Sequence, residues 1–419
     1  MSVRPQSVLT KNAFLWAYIV LFKSGGMLFY SSLSLLGSAV FPLWMVGMLI
    51  GSASLIQLLM DFPAGVFLDR YGYARMLRYA SFVLAGAGAL LLVCGLRPWV
   101  FVVLIFLSAG GWLFFGPGVN AYLLSIAPPK EAGRYMGMRS IMSSGGAVIS
   151  TLLLAIFVQG PIRFLALAIL IPLLLASGTA FFLRKKTPSV HAHPVLETHH
   201  YYIRRKTIRE IFQTMKRLNP ASGMLALTTV AGSTFYGVVW FTIPLVIAEQ
   251  LTKSPLHFGL SIFDVAVVLS GSLAGRLADT PQRRLWIFLG LSLFALCGMS
   301  LGFHLTGWFF LLGFLATVGD ELANVSLWAW LNVLDRTHAH DGFIAATMSF
   351  FEDIGWMLGP LMAGFLYTFV GPGWTIFAGS SLIFICWIIS GFVFYQKQTF
   401  QHHRVERIPE KPRRFPHKE

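Results

Sequence analysis

Seven ionisable side chains fall inside long apolar stretches of this sequence, where a charge is costly unless it is paired or used. One is a lysine and six are carboxylates: Lys23, Asp61, Asp264, Asp320, Glu321, Glu352 and Asp353. Such groups by default mark the path of an ion or a polar substrate, or else a buried charge pair. The six carboxylates are therefore candidates for proton or ion coupling. Lys23 suits an anionic group instead, and the residues alone leave both possibilities open.

Polar and aromatic side chains accompany these charges at the three- and four-residue spacing of one helix face. One such face would carry a carboxylate, an amide and an indole: Asp320, Asn324 and Trp328. A second face would carry Ser233, Tyr236 and Trp240, and Asn120 lies in the middle of a further apolar stretch. The aromatic side chains could equally serve as packing residues or as anchors at the membrane interface.

The apolar stretches that hold these residues are long enough to cross a bilayer, which takes about 20 residues as a helix. The chain has 419 residues, of which 56% are hydrophobic and 12% charged. A soluble globular protein would have about 25% charged residues. We predict twelve membrane spans, at residues 13–38, 43–68, 75–96, 99–126, 134–158, 161–183, 222–248, 257–278, 285–305, 308–333, 343–370 and 374–395. The three cysteines lie far apart without metal-ligand spacing, so we predict no metal site and no cofactor.

A charged turn punctuated by glycine follows the second span. Its residues have the spacing G-x-x-x-D-R-x-G-x-x-R: Gly65, Asp69, Arg70, Gly72 and Arg75. A less complete copy follows the eighth span, at Gly275, Arg276, Asp279, Arg283 and Arg284. Charges at a span end can simply mark the membrane boundary. A repeat about two hundred residues away is instead what a duplicated helical bundle would leave in a sequence.

These two motifs resemble the signature of the major facilitator superfamily. The resemblance implies an all-α fold, with two pseudo-symmetric bundles of six helices around a central cavity that opens alternately to either side. The predicted bundles cover residues 1–183 and 221–395, and the two motifs would act as a conformational latch between them. The family places the first, fourth, seventh and tenth helices around the cavity. The predicted substrate-facing residues are Lys23, Asn120, Tyr236, Trp240, Asp320, Asn324 and Trp328.

Two features depart from the drug-exporting branch of that family. A glycine-proline motif resembling that of its antiporters lies at Gly355–Gly364 on the eleventh span, whereas the family carries it on the fifth. The fifth span has only the serine and glycine residues of Ser143–Ser150. The fourth span also lacks the buried arginine that many proton-driven drug exporters show. Both departures weaken an assignment as a drug exporter.

The distribution of lysine and arginine predicts the orientation of the chain. One side of the membrane would hold only Arg97, Arg163 and Lys253, and nearly all other basic residues fall on the opposite side. Arg139 belongs to this majority, among the charges that precede the fifth span. Basic residues concentrate in cytoplasmic loops, so both termini are predicted to be cytoplasmic in the plasma membrane. The net charge of +15 is then a topology signal, and we predict no nucleic-acid partner.

Two hydrophilic segments lie outside the predicted bundles. Residues 184–220 form the linker between them, which would end in a basic amphipathic helix on the inner leaflet. The linker histidines, at positions 191, 193, 199 and 200, are more typical of a solvated segment than of a metal site. The tail at residues 396–419 is rich in charge and proline and is predicted to be disordered.

The predicted function is secondary active transport of a small molecule across the bilayer, coupled to protons, with export favoured. Proton-coupled uptake and uniport are the alternatives within transport. No phosphate-binding loop of the G-x-x-x-x-G-K-[ST] type occurs, so the chain would not hydrolyse nucleotide. A membrane-embedded enzyme would need a nucleophile and a base at one interface, and a scaffold would leave the buried charges unused. We therefore predict a transporter rather than an enzyme, acting as a monomer with lipid, substrate and protons as its partners.

Helix rise predicts one specific pair among the carboxylates. Asp61 would lie about 12 Å from the cytoplasmic boundary, and Asp353 would lie about 15 Å into its span. In the family fold the second and eleventh helices pack together across the interface between the halves. The two carboxyl groups could therefore face each other and share one proton. Alternatively, Asp61 is satisfied within its own half, and Lys23 neutralises a carboxylate of the tenth or eleventh helix.

Overall fold

A computed structural model of the chain is helical throughout the part that it describes. The described residues are 12–126, 132–157, 160–183, 220–249, 259–280, 282–303, 307–334 and 341–405. The first half contains α1 (Ala13–Ser38), α2 (Leu43–Tyr71), α3 (Tyr73–Cys94), α4 (Pro98–Ile126), α5 (Ala132–Phe157) and α6 (Ile162–Phe181). The second half contains α7 (Pro220–Glu249), α8 (Ser261–Ala278), α9 (Arg283–Phe303), α10 (Phe309–Leu334) and α11 (Asp341–Val405).

Each of the helices α1 to α10 contains one apolar stretch long enough to cross a membrane. Helix α11 contains a stretch of 44 residues, Ser349–Phe392, which is long enough for two crossings. Gly371 divides this stretch, because its φ of 80° lies in the left-handed region, which a helix cannot include. The next residue, Pro372, has no backbone N–H to continue the helix. The predicted eleventh and twelfth spans are therefore the two arms of α11, before and after Gly371.

The turn between α2 and α3 explains why the first signature motif has a glycine at position 72. Gly72 is the one residue between these helices, and its φ of 85° lies in the left-handed region. Its backbone N–H donates to the carbonyl oxygen of Leu68 at 3.0 Å, which closes the last turn of α2. A glycine adopts this conformation without the steric cost that a Cβ would bring. The motif therefore fixes a sharp reversal of the chain direction at this end of the bundle.

Two seams join the halves. Helix α2 packs along the first arm of α11, and α5 packs along α8. Small residues allow the close approach in both seams, with Gly47 against Gly364 in the first and Gly137 against Gly271 in the second. The remaining strong helix contacts lie within each half, for example α1 with α5 and α6, and α9 with α10. Any group that crosses between the halves at mid-depth must therefore lie near one of these seams or in the space between them.

The α2–α11 seam should be sensitive to a single methyl group. A Cβ at Gly47 would lie 2.5 Å from the carbonyl oxygen of Pro360 and 2.9 Å from the Cα of Gly364. Because both are backbone atoms, we expect Gly47→Ala to cost about 1–3 kcal/mol of stability. A Cβ at Gly86 on α3 would meet nothing within 4 Å, so Gly86→Ala is the matched control. Thermal unfolding of the purified variants measures this, and equal unfolding temperatures for the two would refute the close packing.

Two predictions about the polar segments meet different outcomes. Residues 184–219 of the linker, with the predicted amphipathic helix and the histidines, lie outside the described residues. The predicted disorder from residue 396 is wrong for the start of the tail, because α11 continues to Val405. Neither proline nor glycine occurs between residues 396 and 405, so nothing in this stretch interrupts the helix.

Candidate functional site

A cavity of about 210 Å³ lies between the two halves. Helices α4 and α5 of the first half contribute one wall, and α7, α9, α10 and α11 contribute the others. Its polar and charged lining residues are Asn120, Arg139, Thr228, Thr229, Ser233, Asp320, Asn324 and Glu352. Its aromatic lining residues are Tyr236, Phe294, Trp328 and Trp356. The cavity thus combines an apolar aromatic surface with a few polar groups, as sites for small ligands do.

The face predicted on α10 is the carboxylate-bearing wall of this cavity. Asp320, Asn324 and Trp328 all line it, as their four-residue spacing predicted. Tyr236 on α7 donates a hydrogen bond from its Oη to Oδ2 of Asp320 at 3.0 Å. This bond connects two helices of the second half and fixes the direction of the carboxylate. Asn120 on α4 lines the opposite wall and is only 6% exposed.

Two of the predicted substrate-facing residues do not line the cavity. Trp240 is 5% exposed and belongs to the hydrophobic core, so its assignment to the cavity is wrong. Between the cavity residue Tyr236 and Trp240, the α7 backbone at Gly237 packs directly against Gly359 on α11. Lys23 is the second exception, because its side chain points towards a different cluster.

That cluster connects α1 to the α5–α8 seam. The Nζ atom of Lys23 lies 4.8 Å from the centre of the Trp112 ring and 5.6 Å from that of Phe115, both on α4. Cation–π contacts of this kind stabilise a lysine that is removed from water. Asp264 on α8 interacts electrostatically with Lys23, and Ser144 on α5 donates a hydrogen bond to Asp264. Lys23 also interacts electrostatically with Glu352 on α11. Its carboxylate partners therefore lie on the eleventh helix, where the sequence alternative placed one, and on the eighth.

Arg139 is a functional candidate that the sequence analysis missed. It lies within α5, lines the cavity, and interacts electrostatically with Glu352 on α11 and Glu321 on α10. Ser140, its neighbour, hydrogen-bonds Glu321, which is 6% exposed. The position of Arg139 inside the predicted fifth span is the signal that could have identified it, although the sequence analysis counts it with the loop charges. The arginine supplies the positive charge that these two acids of the other half require.

Asp61 and Asp353 meet across the α2–α11 seam. Their side chains are hydrogen-bonded to each other, as the depth estimate anticipated. Asp61 is 1% exposed, and its Oδ2 accepts no hydrogen bond from any described protein group. Glu352 and Tyr30 also face this pair, and the Tyr30 hydroxyl is buried without a partner among the described groups. A hydrogen bond between two carboxyl groups needs a proton on one of them, because ionised carboxylates only accept.

The signature-loop residues are described only in part. The side chain of Asp69 lies outside the described residues, and Arg70 and Arg75 are exposed. In the second copy, Arg283 donates from Nε to the carbonyl oxygen of Ala278 at 2.6 Å, which satisfies the end of α8. Partial burial raises the pKa of the Asp279 carboxyl, and the Arg283 guanidinium acts in the opposite direction. This second motif therefore forms a compact charged cap on α8.

Relatives among characterised proteins match only part of the chain. A multidrug resistance protein, MdtH, of Yersinia enterocolitica is 27% identical over 134 residues, which is 32% of this chain and 33% of the relative. MdtH of Proteus mirabilis is 30% identical over 26% of this chain and 27% of its own length. The chain thus matches about a third or less of these relatives.

Solved structures and a family model match far more of the chain. The human organic anion transporter MFSD10 (TETRAN) has a TM-score of 0.63 with 14% identity, covering 92% of this chain and all of its own. The transporter FucP in its outward conformation has a TM-score of 0.57, with 14% identity, covering 91% of this chain and 97% of its own. The family model described as Major Facilitator Superfamily matches residues 15–351 and, in a second match, 225–417. The chain is therefore an integral membrane protein that belongs to the Major Facilitator Superfamily.

Proposed function

We propose that this protein is a secondary active transporter of a small molecule that couples transport to protons, with export as the favoured direction. Membership of the family and the cavity between the halves support transport itself. The hydrogen-bonded pair formed by Asp61 and Asp353 is the observation that carries the proton coupling. Because one member lies in each half, the pair can exist only while the halves are together at this depth.

The pair can couple a proton to the conformational cycle. While the two carboxyl groups are in contact in a low-dielectric site, ionising both would place like charges side by side without water. Separation of α2 from the first arm of α11 would let water reach each group and let the shared proton leave. Rejoining the halves would require a proton again. One conformational state therefore binds a proton that the other releases, which is the differential affinity that coupling requires.

A uniport mechanism would not explain the pair of carboxyl groups at the α2–α11 seam. A uniporter needs no group that gains or loses a proton, whereas this chain maintains a buried acid pair at a seam that must open. The direction of transport is inferred from the relatives. The matched MdtH proteins are named for multidrug resistance, which favours export, although they match only about a third of the chain. Proton-coupled uptake is the second candidate, because the same pair would serve a symporter.

The test uses purified protein in liposomes that contain a pH-sensitive dye. A panel of small amines, carboxylates and neutral sugars is added outside, without any imposed gradient. We expect one class to evoke proton movement that is absent from empty liposomes and that nigericin abolishes. Movement of radiolabelled compound without any proton movement would contradict coupling and support uniport. Proton movement out of the lumen against entry of the compound would indicate exchange, and entry of both would indicate symport.

We also propose the plasma membrane as the location, with both termini in the cytoplasm and a monomer as the functional unit. The lysine and arginine bias between the two sides supports this orientation. Single cysteines introduced near Arg205 and Arg404 should react only after the cell is opened. Cysteines near Lys253 and Pro372 should react with impermeant reagents on intact cells. Labelling of position 205 on intact cells would invert the proposed topology.

A further inference from the structure

The charged residues of the cavity indicate the charge of the substrate, which the sequence left open. Lys23 suggested an anion, but its ammonium group does not line the cavity, lies over Trp112 and already interacts with the carboxylates of Glu352 and Asp264. The charged side chains that do line the cavity, among the described residues, are Arg139, Asp320 and Glu352. Their formal sum is negative, and Lys23 offers no free positive charge to a ligand because Glu352 and Asp264 engage it.

Arg139 is already engaged by protein carboxylates. It interacts with Glu352, which also lines the cavity, and with Glu321 on α10. A substrate anion would have to compete with these two fixed acids for one guanidinium group. The pair of Arg139 and Glu352 is therefore close to neutral as a unit, and it presents no free positive charge to a ligand. Asp320 remains as the charged group of the cavity that lacks a cationic partner among the described residues.

Asp320 is held ready for a cation. Its Oδ2 accepts a hydrogen bond from the Tyr236 hydroxyl, a neutral donor that orients the carboxylate without cancelling its charge. Gly232, which lines the cavity, leaves space beside the other oxygen, because a Cβ there would lie 3.6 Å from Oδ1. Charge-assisted hydrogen bonds from an ammonium group to a carboxylate are about twice as strong as neutral ones. Oδ1 is therefore the oxygen that can accept a ligand donor.

Two further features specify the ligand. Oδ1 of Asn120 is buried at the cavity wall and accepts no hydrogen bond from any described protein group. It is a second acceptor, so a ligand with more than one N–H is favoured. Four aromatic side chains, those of Tyr236, Phe294, Trp328 and Trp356, form the apolar part of the lining. Aromatic faces attract both flat apolar groups and cations.

We propose that the cavity binds a small organic cation, a protonated primary amine carried on an aromatic body, with Asp320 as its anionic anchor. This inference deepens the proposed transport function and rests on it, because it names the substrate class of the same cavity. The volume of about 210 Å³ accommodates a ligand with one ring and a short amine arm in this conformation. The ammonium group lies against Asp320 and Asn120, and the ring lies among the tryptophans.

The test is equilibrium binding by isothermal titration calorimetry on the full-length protein in detergent. Three probes carry the same phenyl ring on a short chain and differ in the charge of the polar group: phenethylamine is a cation, phenethyl alcohol is neutral and phenylpropionate is an anion. At neutral pH we expect the amine to bind at least tenfold more tightly than either of the others, which is the scale of one charge-assisted hydrogen bond. Asp320→Asn should lower amine affinity by a similar factor and remove its advantage over the alcohol. Gly86→Ala adds a methyl group that meets nothing within 4 Å and lies outside the cavity, so it should preserve both.

Several outcomes would overturn the proposal. Absence of amine binding to the wild-type protein, or tighter binding of phenylpropionate, would show that Asp320 does not set the preference. Unchanged amine affinity in Asp320→Asn, with the protein folded by thermal unfolding, would do the same. No membrane and no gradient are present, so amine binding without proton-coupled transport would sustain this inference and refute the proposed function. Proton-coupled transport of the carboxylate would do the reverse.

Discussion

Proteoliposomes carrying Asp61→Asn or Asp353→Asn should lose proton movement evoked by substrate, by tenfold or more, while still exchanging substrate at equal pH on both sides. Asparagine keeps the size and the hydrogen bonding of aspartate but cannot gain or lose a proton. Since the two carboxyl groups hold one proton as a unit, the double variant should be no worse than either single variant. Exchange across the membrane without a gradient is the internal control, because it needs a folded protein that still alternates.

One result would contradict proton coupling by Asp61 and Asp353. Active transport with unchanged pH dependence in both single variants would show that the proton is handled elsewhere. Asp264 and Glu321 would then be the next candidates, because both are buried carboxylates in contact with the first half through Ser144 and Ser140. A loss of both active transport and exchange would instead indicate a structural role for the pair.

Arg139→Gln should be the most destabilising single change in the cavity. It removes the cation that faces Glu321 and Glu352 and leaves the buried carboxylate of Glu321 without its cationic partner. Breaking a buried charge pair from one side typically costs about 3–5 kcal/mol, and partial exposure of Arg139 places it towards the lower value. The unfolding temperature in detergent measures the effect.

The double variant Arg139→Gln with Glu352→Gln provides the matched control. Removing Glu352 as well leaves only Glu321 without a cation, so the double variant should recover part of the lost stability. Equal stability of the wild type and Arg139→Gln would mean that water already compensates these acids. A double variant that is no more stable than Arg139→Gln would show that the arginine acts through packing instead of charge.

The charges within the membrane spans are divided unevenly between the halves. Lys23, Arg139 and Asp61 belong to the first half, whereas Asp264, Asp320, Glu321, Glu352 and Asp353 belong to the second. Both cations of the first half face carboxylates of the second, through Lys23 with Asp264 and Arg139 with Glu352. These charge pairs attract the two halves to each other at mid-depth, and their strength depends on the protonation of the carboxylates. Protonation of Asp264 or Glu352 would weaken these two charge pairs and favour separation of the halves. The pair of Asp61 and Asp353 differs, because it needs its shared proton while the halves are together.

Hydropathy predicted most of the fold because the bilayer constrains it so strongly. Every predicted span from the first to the tenth overlaps a helix in the structure, and the last two meet at Gly371. The largest disagreement at a helix start is in the eighth, which begins at Ser261 instead of residue 257. Apolar length determines whether a segment crosses the membrane, but the end of a helix depends on local capping.

Helical spacing predicted parts of the site, but not how each helix is rotated about its axis. Asp320, Asn324 and Trp328 line the cavity together because a four-residue spacing keeps them on one face whatever the rotation. Lys23 and Trp240 turn elsewhere because the close contacts of α1 and α7 with their neighbours determine which face meets the cavity. Those contacts form between helices far apart in sequence, so single-helix patterns do not contain them.

Infrared difference spectroscopy tests the shared proton most directly, and it needs no substrate. A protonated carboxylic acid has a carbonyl band distinct from those of a carboxylate, and protein labelled with ¹³C-aspartate assigns that band to an aspartic acid. Our structure predicts such a band in wild-type protein at neutral pH, with its loss in both Asp61→Asn and Asp353→Asn. A spectrum without this band, or a band that persists unchanged in both variants, would contradict a proton shared between the two halves.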